Sequence, residues 1–123
     1  MERRSNFKEA VAILADLTGM AVFALMRDDG IPRPITVGIH RIAFKEGAPG
    51  KKRAISRALW KLGYSKRYLA ACQAEGAMRH DAMGYPQAPV TASQQEWARQ
   101  RLQMREQQSE RAAERRRERE TVV

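Results

Sequence analysis

Few residues in this chain could do acid–base, nucleophilic or metal chemistry, and their spacing does not bring them together. Cys72 is the only cysteine, and His40 and His80 are the only histidines and lie far apart. A structural zinc site draws on C-x-x-C or paired-histidine spacings, and a metalloprotease helix on H-E-x-x-H; neither pattern occurs. Arg79, His80 and Asp81 are adjacent in "AMRHD". On a strand, however, His80 points to the face opposite both neighbours and forms no acid–base pair with Asp81. "GIPRPITVGI" has glycines but no lysine at phosphate-loop spacing. These residues argue against an enzyme, and no metal, nucleotide or other cofactor is expected. The lone Cys72 reads as a small packed residue in a reducing compartment, since it cannot form an intrachain disulfide.

A different chemistry is concentrated in "KKRAISRALWKLGYSKRYL", residues 51 to 69, with seven basic side chains, no acidic one, and Trp60, Tyr64 and Tyr68 among them. At about 100° per residue, Ile55, Ala58, Leu59 and Leu62 fall on one side of a helix. Arg53, Arg57, Trp60 and Tyr64 fall on the other, with Lys61 at its edge. A merely solvated face would mix glutamate with lysine, and none occurs between Lys51 and Gln73. Lysine and arginine hold phosphates by charge, arginine through paired hydrogen bonds, while aromatic rings offer faces to unstacked bases. Lys66 and Arg67 open the next helix, whose N-terminal N–H groups suit a further phosphate. The net charge of +9 over 123 residues, with a pI near 10.4, fits a polyanionic partner.

The elements that must position these residues are mainly helical. Ser5 and Asn6 are candidate caps for a helix over Lys8 to Leu17, with Phe7, Val11 and Leu14 on one face and Gly19 ending or bending it. "RDDGIPRP" is a turn. A second helix, carrying Ile35, Ile39, Ile42 and Ala43 on one face, ends near Gly47. The third spans 51 to 63, and the fourth, capped by Ser65, runs towards Gly76. A hairpin with strands near 77 to 81 and 87 to 90 follows. Thr91 or Ser93 caps a last helix, with Glu96 spaced from Ser93 as in a capping box. Residues 105 to 123 are Arg/Glu/Gln-rich without an apolar stripe, which predicts a frayed helix or disorder. The expected fold is mainly α with a small β-hairpin (α+β), about five helices in one domain over 1 to 104, then the tail. The apolar stretch "LTGMAVFALM" is too short to span a bilayer, and a soluble, monomeric, cytoplasmic protein is expected.

In this order the pieces resemble the ProQ/FinO domain of bacterial RNA chaperones. "RPITVGI" is similar to the family's Arg-Pro-Leu-Lys-Ile-Gly-Ile, and "ISRALWKLGYSKRYL" to its Leu-Arg-x-Ala-Leu segment followed by Arg-Tyr-Leu. "EGAMRHDAMGYP" resembles its hairpin, and "EWARQRL" the Ala-Arg-x-x-Leu of its last helix. The match covers roughly residues 7 to 103. The resemblance implies a compact helical domain with a basic concave face. It implies binding of structured RNA, typically a terminator-like stem and its single-stranded 3′ tail, in regulation by small RNAs. It also implies that Tyr68 and Arg79 form a pocket for the RNA 3′ end, and that Lys52 and Arg99 are basic contacts. Gly76, Asp81, Gly84 and Pro86 match structural hairpin positions. Two positions depart from the pattern: Thr36 and Ser56 stand where the family has lysine and arginine. This bears on the phosphate contacts and not on the apolar frame.

The expected function is therefore RNA binding, with no small-molecule substrate and no membrane partner. Two alternatives stay open. Residues 55 to 73 also look like a helix-turn-helix, which would read duplex DNA with its second helix, although the strongest basic face lies on the first. The Arg/Glu tail could instead serve a ribosome-associated or protein-interaction adaptor.

Overall fold

Phe7, Ala10, Val11 and Leu14 recur at helical spacing, and the helix they define, α1 (Asn6–Thr18), buries all of them. The structure, a computed structural model, describes residues 6–121, so the candidate cap Ser5 lies outside the described residues. The Thr18 hydroxyl donates to the Leu14 carbonyl at 2.6 Å and accepts the Met20 N–H at 3.2 Å, closing α1. Gly19 turns the chain at φ 65°, and a helix unforeseen in the sequence follows, α2 (Ala21–Asp29). Its Val22, Phe23 and Met26 are fully buried. The described residues thus hold six helices, where about five were expected. The short run "MAVFALM" hid this one, because an apolar run without polar partners has no readable period.

A second correction concerns Ile35. It was expected on a helical face, but it lies in extended backbone bridged to His80, and helix α3 (Ile39–Glu46) begins only after Gly38. Ile42, expected in the core with Ile39 and Ala43, is 39% exposed. Gly47 caps α3 at φ −69°, a conformation open to any residue. The glycine is needed for space instead. A Cβ there would press on the Ile55 side chain and stand 2.8 Å from the Ala43 carbonyl oxygen. Gly47→Ala is expected to destabilise the fold by about 1–3 kcal/mol, as overpacking does. Urea unfolding should show a lower midpoint with an unchanged slope.

Helix α4 (Lys52–Gly63) buries Ile55, Ala58 and Leu62 as its wheel requires and packs along α1. Ser65 caps α5 (Lys66–Gln73), its hydroxyl accepting the Tyr68 N–H at 3.3 Å, and Leu69 anchors that helix in the interior. Helix α5 stops before Gly76, which turns the chain at φ 75° into the hairpin. Strands β1 (Met78–His80) and β2 (Pro86–Pro89) pair antiparallel. The Asp81 carboxylate accepts the N–H groups of Met83 and Tyr85, both at 3.0 Å, and so shapes the turn. Gly84, at φ 90°, lets that turn approach Leu25 of α2, where a Cβ would come within 2.5 Å of the leucine.

Helix α6 (Ala92–Thr121) is capped by Thr91, not Ser93. The Thr91 hydroxyl accepts the Gln94 N–H while the Gln94 side chain accepts the Thr91 N–H, each at 3.2 Å. This is a capping box two residues earlier than the one expected, and it leaves Glu96 free to pair with Arg99. Residues 105–121 are helical throughout. Helix α6 packs along α5, and Lys66 donates to Ser109 at 2.8 Å.

Candidate nucleic-acid interface

The first turn of α5 carries Tyr68, and the Ser65 cap and buried Leu69 fix its direction. The Tyr68 hydroxyl accepts the Ile35 N–H at 2.9 Å. On the other side of that segment His80 donates its N–H to the Pro34 carbonyl at 2.7 Å and accepts the Thr36 N–H at 2.9 Å. The His80 ring adds a bond from Nδ1 to the Pro34 carbonyl at 3.1 Å. Residues 34–36 are thus clamped between α5 and β1, and His80 is structural. The strand register breaks between Arg79 and His80, where Arg79 faces Ala88 and His80 faces Pro86. Such a bulge re-aims a side chain. Arg79 and Tyr68 line one cavity of about 170 Å³, together with Val37, Cys72, Gln94 and Trp97. It is smaller than the pockets of roughly 300 Å³ and up that enclose drug-sized ligands.

Burial acts on the two neutral titratable groups of this cavity in the same direction. Burial holds the Tyr68 phenol protonated, well above the ordinary phenol range, and neighbouring Cys72 acts in the same direction. The Ile35 N–H and the Arg79 charge oppose this shift without reversing it. Burial also pushes the Cys72 thiol up to about 11, against a weaker pull from its hydrogen bond with Tyr68, so it is no thiolate nucleophile. Tyr68 therefore offers a hydroxyl, and Arg79 the cavity's positive charge.

Helix α4 presents two adjacent stripes rather than one face. Lys52, Ser56, Leu59 and Gly63 form the first. Lys52 and Ser56, with Arg53, line an open groove of about 490 Å³, and the Lys52 ammonium lies 5.0 Å from the Phe44 ring centre. Leu59 and Gly63 line a second hollow, of about 280 Å³, that reaches Tyr68. This stripe leads from the Lys52 groove towards the Tyr68 cavity. The second stripe is Arg53, Arg57, Trp60 and Tyr64, as the helical wheel required. Arg53 and Arg57 are exposed and make no ion pair among the described residues.

The remaining candidate cations do not stand equally free. Lys61 pairs with Glu9 of α1 at 3.1 Å. The Arg67 guanidinium lies 4.6 Å from the centre of the Phe7 ring and donates to the Gly30 carbonyl, tying α5 to the end of α2. Lys66 is held by Ser109. Arg99 forks onto Glu96 with bonds of 2.5 and 2.6 Å, and this bond lowers the Glu96 carboxyl below its usual range. The sequence had grouped Lys61, Lys66, Arg67 and Arg99 with the free cations because partners from distant elements cannot be read from local spacing. For Arg99 the signal was present: Glu96 stands one helical turn before it.

Sequence reasoning also missed Val37, Cys72, Gln94 and Trp97 as lining of the cavity. Helical spacing on α6 puts Gln94 and Trp97 on the face bearing buried Ala98, which was the available clue. The helix-turn-helix alternative meets an obstacle here. Its second helix, α5, packs along α6, and its two leading cations are engaged within the fold.

Fold and site together define a mainly helical α+β domain in which Tyr68, Arg79 and Trp97 line one small cavity. The chain belongs to the ProQ/FINO family, whose model matches residues 5–117. This family is known for RNA binding and RNA chaperoning and is non-enzymatic. None of the curated proteins matches the sequence. Among the described residues no helix is long and apolar enough to cross a membrane.

Proposed function

We propose that the protein is an RNA chaperone that binds terminator-like hairpins carrying a single-stranded 3′ tail, in post-transcriptional regulation by small RNAs. The observation that carries this reading is the meeting of Tyr68 and Arg79, from α5 and β1, in one small cavity at the end of the stripe that begins at the Lys52 groove. A cavity of this size suits the terminal ribose of an RNA, with a hydroxyl and a guanidinium ready for its 3′ oxygen and last phosphate. Lys52, Arg53 and Arg57 take phosphates of the adjoining stem. A-form RNA favours this mode, because its deep groove hides the bases and leaves phosphates and 2′-hydroxyls to be read. Residues 1–104 form the binding domain, and the 105–123 tail adds non-specific attraction. The protein acts as a cytoplasmic monomer.

Competition separates this reading from DNA binding. A hairpin RNA with a 3′ uridine tail is expected to displace labelled RNA at far lower concentration than a duplex DNA of equal length. Equal displacement by the DNA would refute the proposal. Crosslinking in cells, with sequencing of the bound RNA, would then identify the targets.

A further inference from the structure

The chain has two tryptophans, and both are exposed on one side of the molecule: Trp60 on α4 at 63% and Trp97 on α6 at 45%. Tyr64 joins them. Its ring centre is 4.9 Å from that of Trp60 at a tilt of 38°, and 5.9 Å from that of Trp97, edge to face. The Arg101 guanidinium packs on the same group, 5.7 Å from Tyr64 and 5.3 Å from Trp97. Three rings and a guanidinium from α4, its C-cap and α6 therefore form a continuous strip. Large exposed aromatic groups of this kind mark an interaction surface. The strip is continuous with the cavity, because Trp97 lines both.

Its surroundings select the partner. Arg53 and Arg57 continue the Trp60 stripe along α4, and no acidic residue occurs between Lys51 and Gln73. Glu96, next to Trp97 in the chain, is held by Arg99. A strip of rings flanked by positive charge suits single-stranded nucleic acid, whose bases stack on aromatic faces while its phosphates meet cations. We propose that Trp60, Tyr64, Trp97 and Arg101 form a stacking platform for the single-stranded RNA nucleotides just 5′ of the terminus. This platform rests on the RNA-binding reading above. The terminal nucleotide enters the Tyr68 cavity, its neighbour meets Trp97, and the preceding bases run over Tyr64 to Trp60. Stacking tolerates any base, so the platform adds affinity for an unpaired tail of sufficient length without adding sequence preference.

The test uses the full chain and two hairpin RNAs of equal length. One has a uridine tail, and the other an abasic tail that keeps every phosphate and the 3′ hydroxyl. Wild-type protein is expected to bind the uridine-tailed hairpin more tightly, with quenching of tryptophan emission, which reports only Trp60 and Trp97. Trp60→Ala should weaken binding of the uridine-tailed RNA on the order of tenfold and affect the abasic-tailed RNA far less. Trp60→Phe should restore most of the loss. Exposed Trp60 can be removed without opening the core, and thermal unfolding checks this. Equal wild-type affinity for the two RNAs, or unchanged emission on binding, would overturn the platform alone. So would sedimentation showing a wild-type dimer that Trp60→Ala dissociates, which would assign the strip to a second copy. Failure of the wild type to bind either hairpin would overturn the RNA reading together with the platform.

Discussion

Raising salt from about 50 to 200 mM is expected to weaken binding of a tailed hairpin RNA about a thousandfold, for roughly six phosphates neutralised. Each lysine or arginine that meets a phosphate releases condensed counterions, and added salt opposes that release. The structure distributes the effect unequally. Arg53 and Arg57 are exposed and make no ion pair among the described residues, so Arg57→Gln should flatten the logarithmic salt slope by about one. Lys61 must first leave Glu9, and Arg99 must first leave Glu96. Lys61→Gln should therefore change the slope less than Arg57→Gln does. Filter binding or anisotropy at several salt concentrations measures these slopes. An affinity independent of salt would remove the electrostatic basis of the proposed function.

The second large effect is expected at the cavity. Arg79→Ala should weaken binding of a 3′-tailed hairpin by roughly 10- to 100-fold, the range for loss of a charge-assisted hydrogen bond. Its thermal stability should stay near that of the wild type, since the strand pairing of Arg79 is through its backbone and its side chain makes no ion pair among the described residues. Blocking the RNA's 3′ hydroxyl should weaken wild-type binding and add less than its full effect to the Arg79→Ala loss, because the 3′ oxygen and last phosphate are held in one cavity. Full additivity of the two losses would separate Arg79 from the RNA terminus. Tyr68→Phe is a less clean probe than its place in the cavity suggests. Its hydroxyl accepts the Ile35 N–H, so phenylalanine leaves a part-buried donor unpaired at about 1–3 kcal/mol. That variant should lose both stability and affinity, as seen by comparing its unfolding midpoint with its binding.

The sequence was most informative where its periods were strong. The stripe of Phe7, Val11 and Leu14 and the division of α4 into core and cationic sides were legible, because one side of a packed helix must be apolar. The Ser65 cap and the hairpin turn containing Gly84 were legible from local chemistry, while Asp81 entered only through the family resemblance. Helix α2 was not, because its apolar run has no polar face to reveal a period. The extended Ile35 was not, because Tyr68 and His80, both remote in sequence, decide its conformation.

The same distinction applies to the candidate interface. By itself the sequence determined that a basic, aromatic helix exists, and its motifs in order indicated the family and pointed to Tyr68 and Arg79. Only the tertiary structure decided which cations stand free. Glu9, Ser109, Gly30 and Glu96 take up Lys61, Lys66, Arg67 and Arg99, and most of these partners come from other elements. Only the tertiary structure, too, placed Trp97 of α6 against Tyr64 at the end of α4 and joined that strip to the cavity. The physical reason is that periodicity determines which way a side chain points from its own helix, whereas a neighbour is determined by how the helices pack.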